Sequence, residues 1–95
     1  VARLHARSGE AHPLTGAATR VGRLADNDIV LDDADVSRHH AVVSDTATSF
    51  VITDLRSANG VYVQGRRIRG SVALADRDQI RICHHEFVFE LEPRG

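Results

Sequence analysis

Ser37-Arg38-His39-His40 places a hydroxyl, a guanidinium and two imidazoles in consecutive positions. Three kinds of chemistry use such groups. A serine close to a histidine can be an activated nucleophile, with Asp28, Asp32 or Asp54 available to orient the imidazole. Histidines can ligate a metal, and Cys83-His84-His85 supplies more candidate ligands. A hydroxyl beside a guanidinium can hold an anion. A phosphate monoester carries about −1.5 to −2 charge at neutral pH and three acceptor oxygens.

The first two chemistries are poorly supported by the surrounding residues. No G-x-S-x-G elbow encloses Ser37, and no helical pattern follows it to supply an oxyanion hole. A serine hydrolase-like site at Ser37 and His40 is therefore the weaker alternative, and no catalytic residue is assigned. Adjacent histidines on a strand point to opposite faces, so His39-His40 and His84-His85 each offer at most one ligand to a site. No metal and no cofactor is expected. The anion reading gains from two further polar clusters, "VGRLADNDIVL" and "DLRSANGVYVQG", which contribute Arg23 and Asn59. Gly22 permits a tight backbone beside Arg23. Asn59-Gly60 between two apolar runs is a turn signal, because both residues tolerate positive φ.

Such clusters need a frame that brings distant loops together. Short runs rich in Val, Ile and Phe recur between Gly, Asp, Asn and Pro, and no stretch holds a helical period. The runs predict strands over 1–7, 13–23, 28–31, 39–46, 49–55, 61–64, 66–69, 71–75, 78–83 and 86–92. An all-β sandwich or barrel follows, and a sandwich gathers its loops at its two ends. One detail tests the pattern. Ile80 and Ile82 put even positions toward a core, whereas Phe87, Phe89 and Leu91 put odd ones there. Side chains alternate strictly along a strand, so a hairpin turn or bulge must fall within Cys83–Glu86.

Composition sets the outer limits. The chain has 95 residues, 42% of them hydrophobic, which predicts one globular domain over 1–95 with a small core. It begins at Val1 rather than Met, so a domain cut from a longer chain is expected. No apolar run reaches the roughly 20 residues of a membrane helix, and a single cysteine points to a reducing, cytoplasmic setting. A net charge of −1 does not suit nucleic-acid binding by this domain. The few aromatics (Phe50, Tyr62, Phe87 and Phe89) mostly occupy core-like positions and leave no stacking platform. All 12 basic residues are arginine, the side chain best shaped to fork onto phosphate or carboxylate.

In order and spacing, "GR", "NDIVL", "VSRHHA", "DLRSANGVYVQG" and "ADRDQIRI" closely resemble the successive motifs of forkhead-associated (FHA) domains, from about Val21 to Phe89. The segment "RRIRGSVALADRDQIRICHHEFVFEL" is also similar to the FHA modules of actinobacterial transcriptional regulators of the EmbR type. The resemblance implies a β-sandwich of two twisted sheets and about eleven strands, with loops at one end that bind phosphothreonine peptides. It implies phosphate contacts from Arg23, Ser37 and Arg38, and a bond from Asn59 to the peptide backbone. Gly22, His40 and Gly60 would hold loop geometry. Asp35, Ser57 and Ala58 would be auxiliary or would set peptide preference. Asp35 stands two positions before Ser37, where some members read the third residue after phosphothreonine.

The implied partner is a phosphothreonine protein, an autophosphorylated Ser/Thr kinase being one candidate, in signalling or transcription control. A non-binding structural sandwich is the bland alternative, and oligomeric state is not readable. The chain departs from the family pattern at Ala58, Val61, Gln64 and Arg77. Of these, only Ala58, in place of a common threonine, removes a possible ligand contact.

Overall fold

The computed structural model describes residues 2–92, and among these it contains eleven strands and no helix. The strands are β1 (Ala2–Ala6), β2 (Ala11–Pro13), β3 (Ala18–Gly22), β4 (Ile29–Val30), β5 (Ala41–Asp45), β6 (Phe50–Asp54), β7 (Tyr62–Val63), β8 (Arg66–Arg67), β9 (Ser71–Leu74), β10 (Gln79–Ile82) and β11 (His85–Leu91). They form a six-stranded sheet in the order β2-β1-β11-β10-β7-β8 and a five-stranded sheet in the order β4-β3-β5-β6-β9. The described strand pairings are antiparallel except β3 with β4.

The alternating residues do what their period requires. Leu4, Ile80, Ile82, Phe87 and Phe89 point inward from one sheet, and Val21, Val43 and Ile52 from the other. The rings of Phe50 and Phe89 meet across the interior with centroids 5.6 Å apart. Phe89 is wholly buried, and burying such a side chain stabilises by about 1.5–3 kcal/mol. This small core holds the strand ends from which the polar loops depart.

The parity change near the C-terminus is a two-residue turn. Ile82 pairs with His85, leaving Cys83 and His84 at the tip, with Cys83 at φ 55°. A two-residue loop pairs even positions with odd ones, so Ile80 and Phe87 sit opposite each other and share the inner face. Arg77 adopts φ 75° in the turn after β9. The left-handed backbone accounts for the glycine common at that place in the family.

One predicted strand is corrected. The run 13–23 is not continuous: Pro13 ends the short edge strand β2, and the chain bends through Leu14–Ala17 before β3. Pro13 has no N–H to continue a ladder, and an edge strand is where a sheet tolerates it. The rest of β2 lies in residues that carried no strand signal, since Ala11-His12 lacks β-branched or large apolar side chains. The other predicted runs are present, most of them shorter by a residue or two at their ends, while 86–92 is observed one residue earlier as β11. Val1 of the first run, and the ends of the domain predicted over 1–95, lie outside the described residues.

Candidate functional site

Three loops meet at one end of the sandwich: 23–28 after β3, 31–40 after β4, and 55–61 after β6. Their junction is built largely from backbone. The Arg23 N–H donates to the Ser37 carbonyl at 3.0 Å, and the Leu24 N–H to the Arg38 carbonyl at 3.4 Å. The Asn27 side-chain amide donates to the carbonyls of Leu24, at 2.8 Å, and Arg38, at 2.9 Å. So close is this approach that a Cβ on Gly22 would stand 2.3 Å from the Arg38 oxygen. Only glycine fits there.

The second loop is held by His40, which is fully buried. Its Nδ1 accepts from the Ser37 N–H at 3.1 Å, and its Nε2 lies 2.8 Å from the Gly60 carbonyl. One nitrogen must accept and the other must donate, so the ring is the neutral tautomer with its proton on Nε2. Neither nitrogen is directed at the Ser37 hydroxyl. On the third loop Asp54 accepts from the Ser57 N–H and hydroxyl, and Ser57 Oγ accepts from the Gly60 N–H at 3.0 Å. Gly60 takes φ 81° under the Arg67 guanidinium, where a Cβ would lie 2.5 Å from Arg67 Nε.

These braces leave an open cleft of about 590 Å3, with Arg23, Asp35, Ser37, Arg38, Ala58 and Asn59 among its lining residues. Ser37 Oγ accepts from the Ala58 N–H at 3.1 Å, so the hydroxyl proton is left to donate outward. Arg23 is half-buried and its Nε donates to the Val36 carbonyl at 3.2 Å, which fixes the guanidinium at the cleft. Asn59 Nδ2 donates to the Asp35 carbonyl at 2.7 Å. The Ser37 hydroxyl and the Arg23 and Arg38 side chains thus line one solvent-open cleft, an arrangement suited to an anion.

Of the residues singled out in the sequence, Arg23, Asp35, Ser37, Arg38, Ala58 and Asn59 come together at the cleft. Gly22, His40 and Gly60 lie beneath it as braces. Ser57, grouped with the peptide-preference residues, is instead 7% exposed and absent from the lining, its hydroxyl taken by Asp54 and Gly60.

Some participants carried no place in the anion site as read from the sequence. Asn27 pins the first loop to the second, Leu55 and Arg56 line the cleft, and Cys83 Sγ donates to the Asp35 carbonyl at 3.2 Å. His39, also in the lining, stands 3.1 Å from Asp26, and that hydrogen bond holds the Asp26 carboxyl below its usual range. Asn27 stands in the quoted "NDIVL" motif, but its reach to Arg38, eleven positions away, has no local signature.

A larger concavity of about 720 Å3 lies on the outer face of the six-stranded sheet. Much of its charge is already paired, Arg7 with Glu86 and Arg77 with Glu90, and Arg81 covers the Tyr62 ring. The loop cleft, lined by Arg23 and Arg38, neither of them in an ion pair among the described residues, and by the Ser37 hydroxyl, is the stronger site.

Residues 19–83 match the family model of the FHA domain. The chain belongs to the FHA family. A curated relative of this FHA domain, the transcriptional regulatory protein EmbR of Mycobacterium tuberculosis, is 64% identical over 92 residues, covering 96% of this chain and 24% of EmbR. The chain therefore spans about a quarter of that relative's length. Its fold superposes on M. tuberculosis EmbR in complex with a low affinity phosphopeptide, with a TM-score of 0.94 and 60% identity over 100% of this chain and 26% of that one. A second structure, from work on phosphothreonine-dependent FHA domain interactions, has a TM-score of 0.91 and 29% identity, covering 98% of each chain. The FHA β-sandwich expected from the motifs is the fold observed.

Proposed function

We propose that this FHA domain recognises phosphothreonine peptides and so mediates phosphorylation-dependent protein–protein interaction. The observation that carries the reading is the seating of Ser37 against Arg23. Their loops are joined by the Arg23 N–H to Ser37 carbonyl bond, and both side chains face one open cleft. Arg23 supplies a fixed charge, Ser37 a free hydroxyl proton, and Arg38 a second guanidinium. Asn59 binds the peptide's own backbone from the neighbouring loop. Charge-assisted bonds of this type contribute roughly 1.5–3 kcal/mol each.

Catalysis is not part of this reading. The His40 ring is committed to Ser37 N–H and Gly60 O, so it is not placed to take a proton from Ser37 Oγ. A fluorophosphonate probe, which labels serine hydrolases, is expected to leave the domain unmodified.

The domain belongs to a longer cytoplasmic regulator in this reading, and its partner is a phosphorylated protein such as an autophosphorylated Ser/Thr kinase. The likeness to EmbR supports a setting in transcription control. Asp35, exposed at one end of the cleft, faces the third residue after phosphothreonine and disfavours an acidic side chain there.

Calorimetry with one peptide in three forms tests the proposal. The phosphothreonine form is expected to bind with a micromolar Kd, about −8 kcal/mol, and the phosphoserine form more weakly for want of the threonine methyl. The unphosphorylated form is expected not to bind. Equal heats from all three forms would refute phosphate recognition.

A further inference from the structure

The cleft is electrically lopsided. The third loop runs alongside the second in a definite order: Leu55 N–H bonds the His40 carbonyl, Ala58 N–H the Ser37 hydroxyl, and Asn59 Nδ2 the Asp35 carbonyl. Asp35 therefore marks one end, Ser37 the middle, and Leu55 with the adjoining Arg56 the other end. Among the described residues Arg56 and Arg38 have no ion-pair partner, while Asp33, itself beside His85, and Asp32 stand two and three positions before Asp35.

Arg56 is also held in an unusual backbone. Its φ is 57°, and it is one of five described non-glycine residues with positive φ. Like Ala47, Gln64, Arg77 and Cys83, it lies between consecutive strands, but of the five only Arg56 lines the cleft. A left-handed conformation is disfavoured for a residue with a Cβ, and glycine would adopt it freely. The fold itself does not call for arginine here, because the guanidinium makes no described hydrogen bond or ion pair. Strain retained in a ligand cleft points to a task for the side chain.

We infer that Arg56 is a specificity-determining residue that selects an acidic group, a carboxylate or a second phosphate, on the N-terminal side of the phosphothreonine. The inference rests on the reading proposed above. With Asp35 facing the C-terminal third position, the Arg56 end of the cleft receives the residues that precede the phosphothreonine. A peptide acidic before its phosphothreonine and apolar or basic after it then matches the field along the whole cleft. One guanidinium–carboxylate contact near the surface is worth about fivefold in affinity, or roughly 1 kcal/mol.

The test is an array of phosphothreonine peptides in an otherwise neutral sequence, with a single glutamate or phosphoserine moved through each flanking position. The unaltered domain is expected to gain about fivefold for glutamate at an N-terminal position, more for phosphoserine there, and nothing for glutamate on the C-terminal side. Arg56→Glu is expected to turn the gain into a loss, and Arg56→Lys to keep part of it. Arg56→Gly is expected to abolish the preference with no fall in melting temperature, an outcome that separates a ligand role from a structural one. Phosphothreonine binding with the same glutamate profile in the domain and in Arg56→Glu would overturn the role of Arg56 alone. No binding of any phosphopeptide by the unaltered domain would overturn this inference and the reading beneath it together.

Discussion

His40 Nε2 lies 2.8 Å from the carbonyl oxygen of Gly60, joining the loop that carries Ser37 to the loop that carries Asn59. The same ring accepts the Ser37 N–H, so one neutral imidazole sets the spacing of the two loops. His40→Ala removes two buried hydrogen bonds and opens a cavity. It is expected to cost about 2–4 kcal/mol of stability and to weaken peptide binding with it. Urea denaturation and calorimetry on the same variant check the pairing. Lost binding at full stability would show that His40 is not a scaffold residue.

Arg23→Ala is expected to do the reverse. The side chain is half-buried and its one described bond is to the Val36 carbonyl, so the loss of stability should stay within about 1 kcal/mol. Binding, however, is expected to weaken by roughly 10- to 150-fold, the loss of one charge-assisted contact of about 1.5–3 kcal/mol. Melting temperature and titration together decide it. A melting point lowered as far as that of His40→Ala would merge two roles that the geometry separates.

Asn27 gives a sharper test of how the site is assembled. Its amide donates to two carbonyls, on Leu24 and Arg38. Asn27→Ala is expected to cost about 1–3 kcal/mol, as those acceptors lose their partner. Asn27→Asp, nearly the same shape, should be worse, since an ionised carboxylate has no proton to give and faces two oxygens. If Asp is tolerated better than Ala, the two amide bonds are not what holds the first loop to the second.

Much of this was legible before any coordinates. The reversal of parity between Ile82 and Phe87 could only be a turn or bulge, because alternation in a strand leaves no third option. The Arg23, Ser37 and Asn59 loops were legible because glycine, serine and Asn-Gly mark backbone departures from strands. Other features were not. Asn27 bonds residues from another loop, and long-range pairing leaves no local pattern. The resemblance leaves Ser57 either auxiliary or peptide-facing, and only the fold shows that Asp54 and Gly60 draw its hydroxyl inward. The positive φ of Arg56 was invisible, since arginine does not advertise a left-handed backbone as glycine does.

Acid should loosen the loop that presents Asp35. The Asp35 N–H bonds Asp33 Oδ1 at 3.0 Å and holds the Asp33 carboxyl below its ordinary 3.8, with His85 and His84 lending positive charge. A carboxyl with a depressed folded pKa contributes stability above its unfolded value and loses it as pH falls through the folded one. Stability is therefore expected to decline on the acid side of 3.8, and Asp33→Asn should flatten that limb. Melting temperature recorded against pH for both proteins is the check. Parallel acid limbs would remove Asp33 from the account.

The loop after β6 is also where the chain leaves the five-stranded sheet for the six-stranded one, since β6 belongs to the first and β7 to the second. On the proposed reading, a peptide bound across Ser37 and Asn59 would rest on that crossing. Ligand at a hundred times its Kd adds about 2.7 kcal/mol against unfolding. A kinase acting on a different protein would thereby lengthen the survival of this domain against proteases, so that the signal is written into turnover as well as into contact.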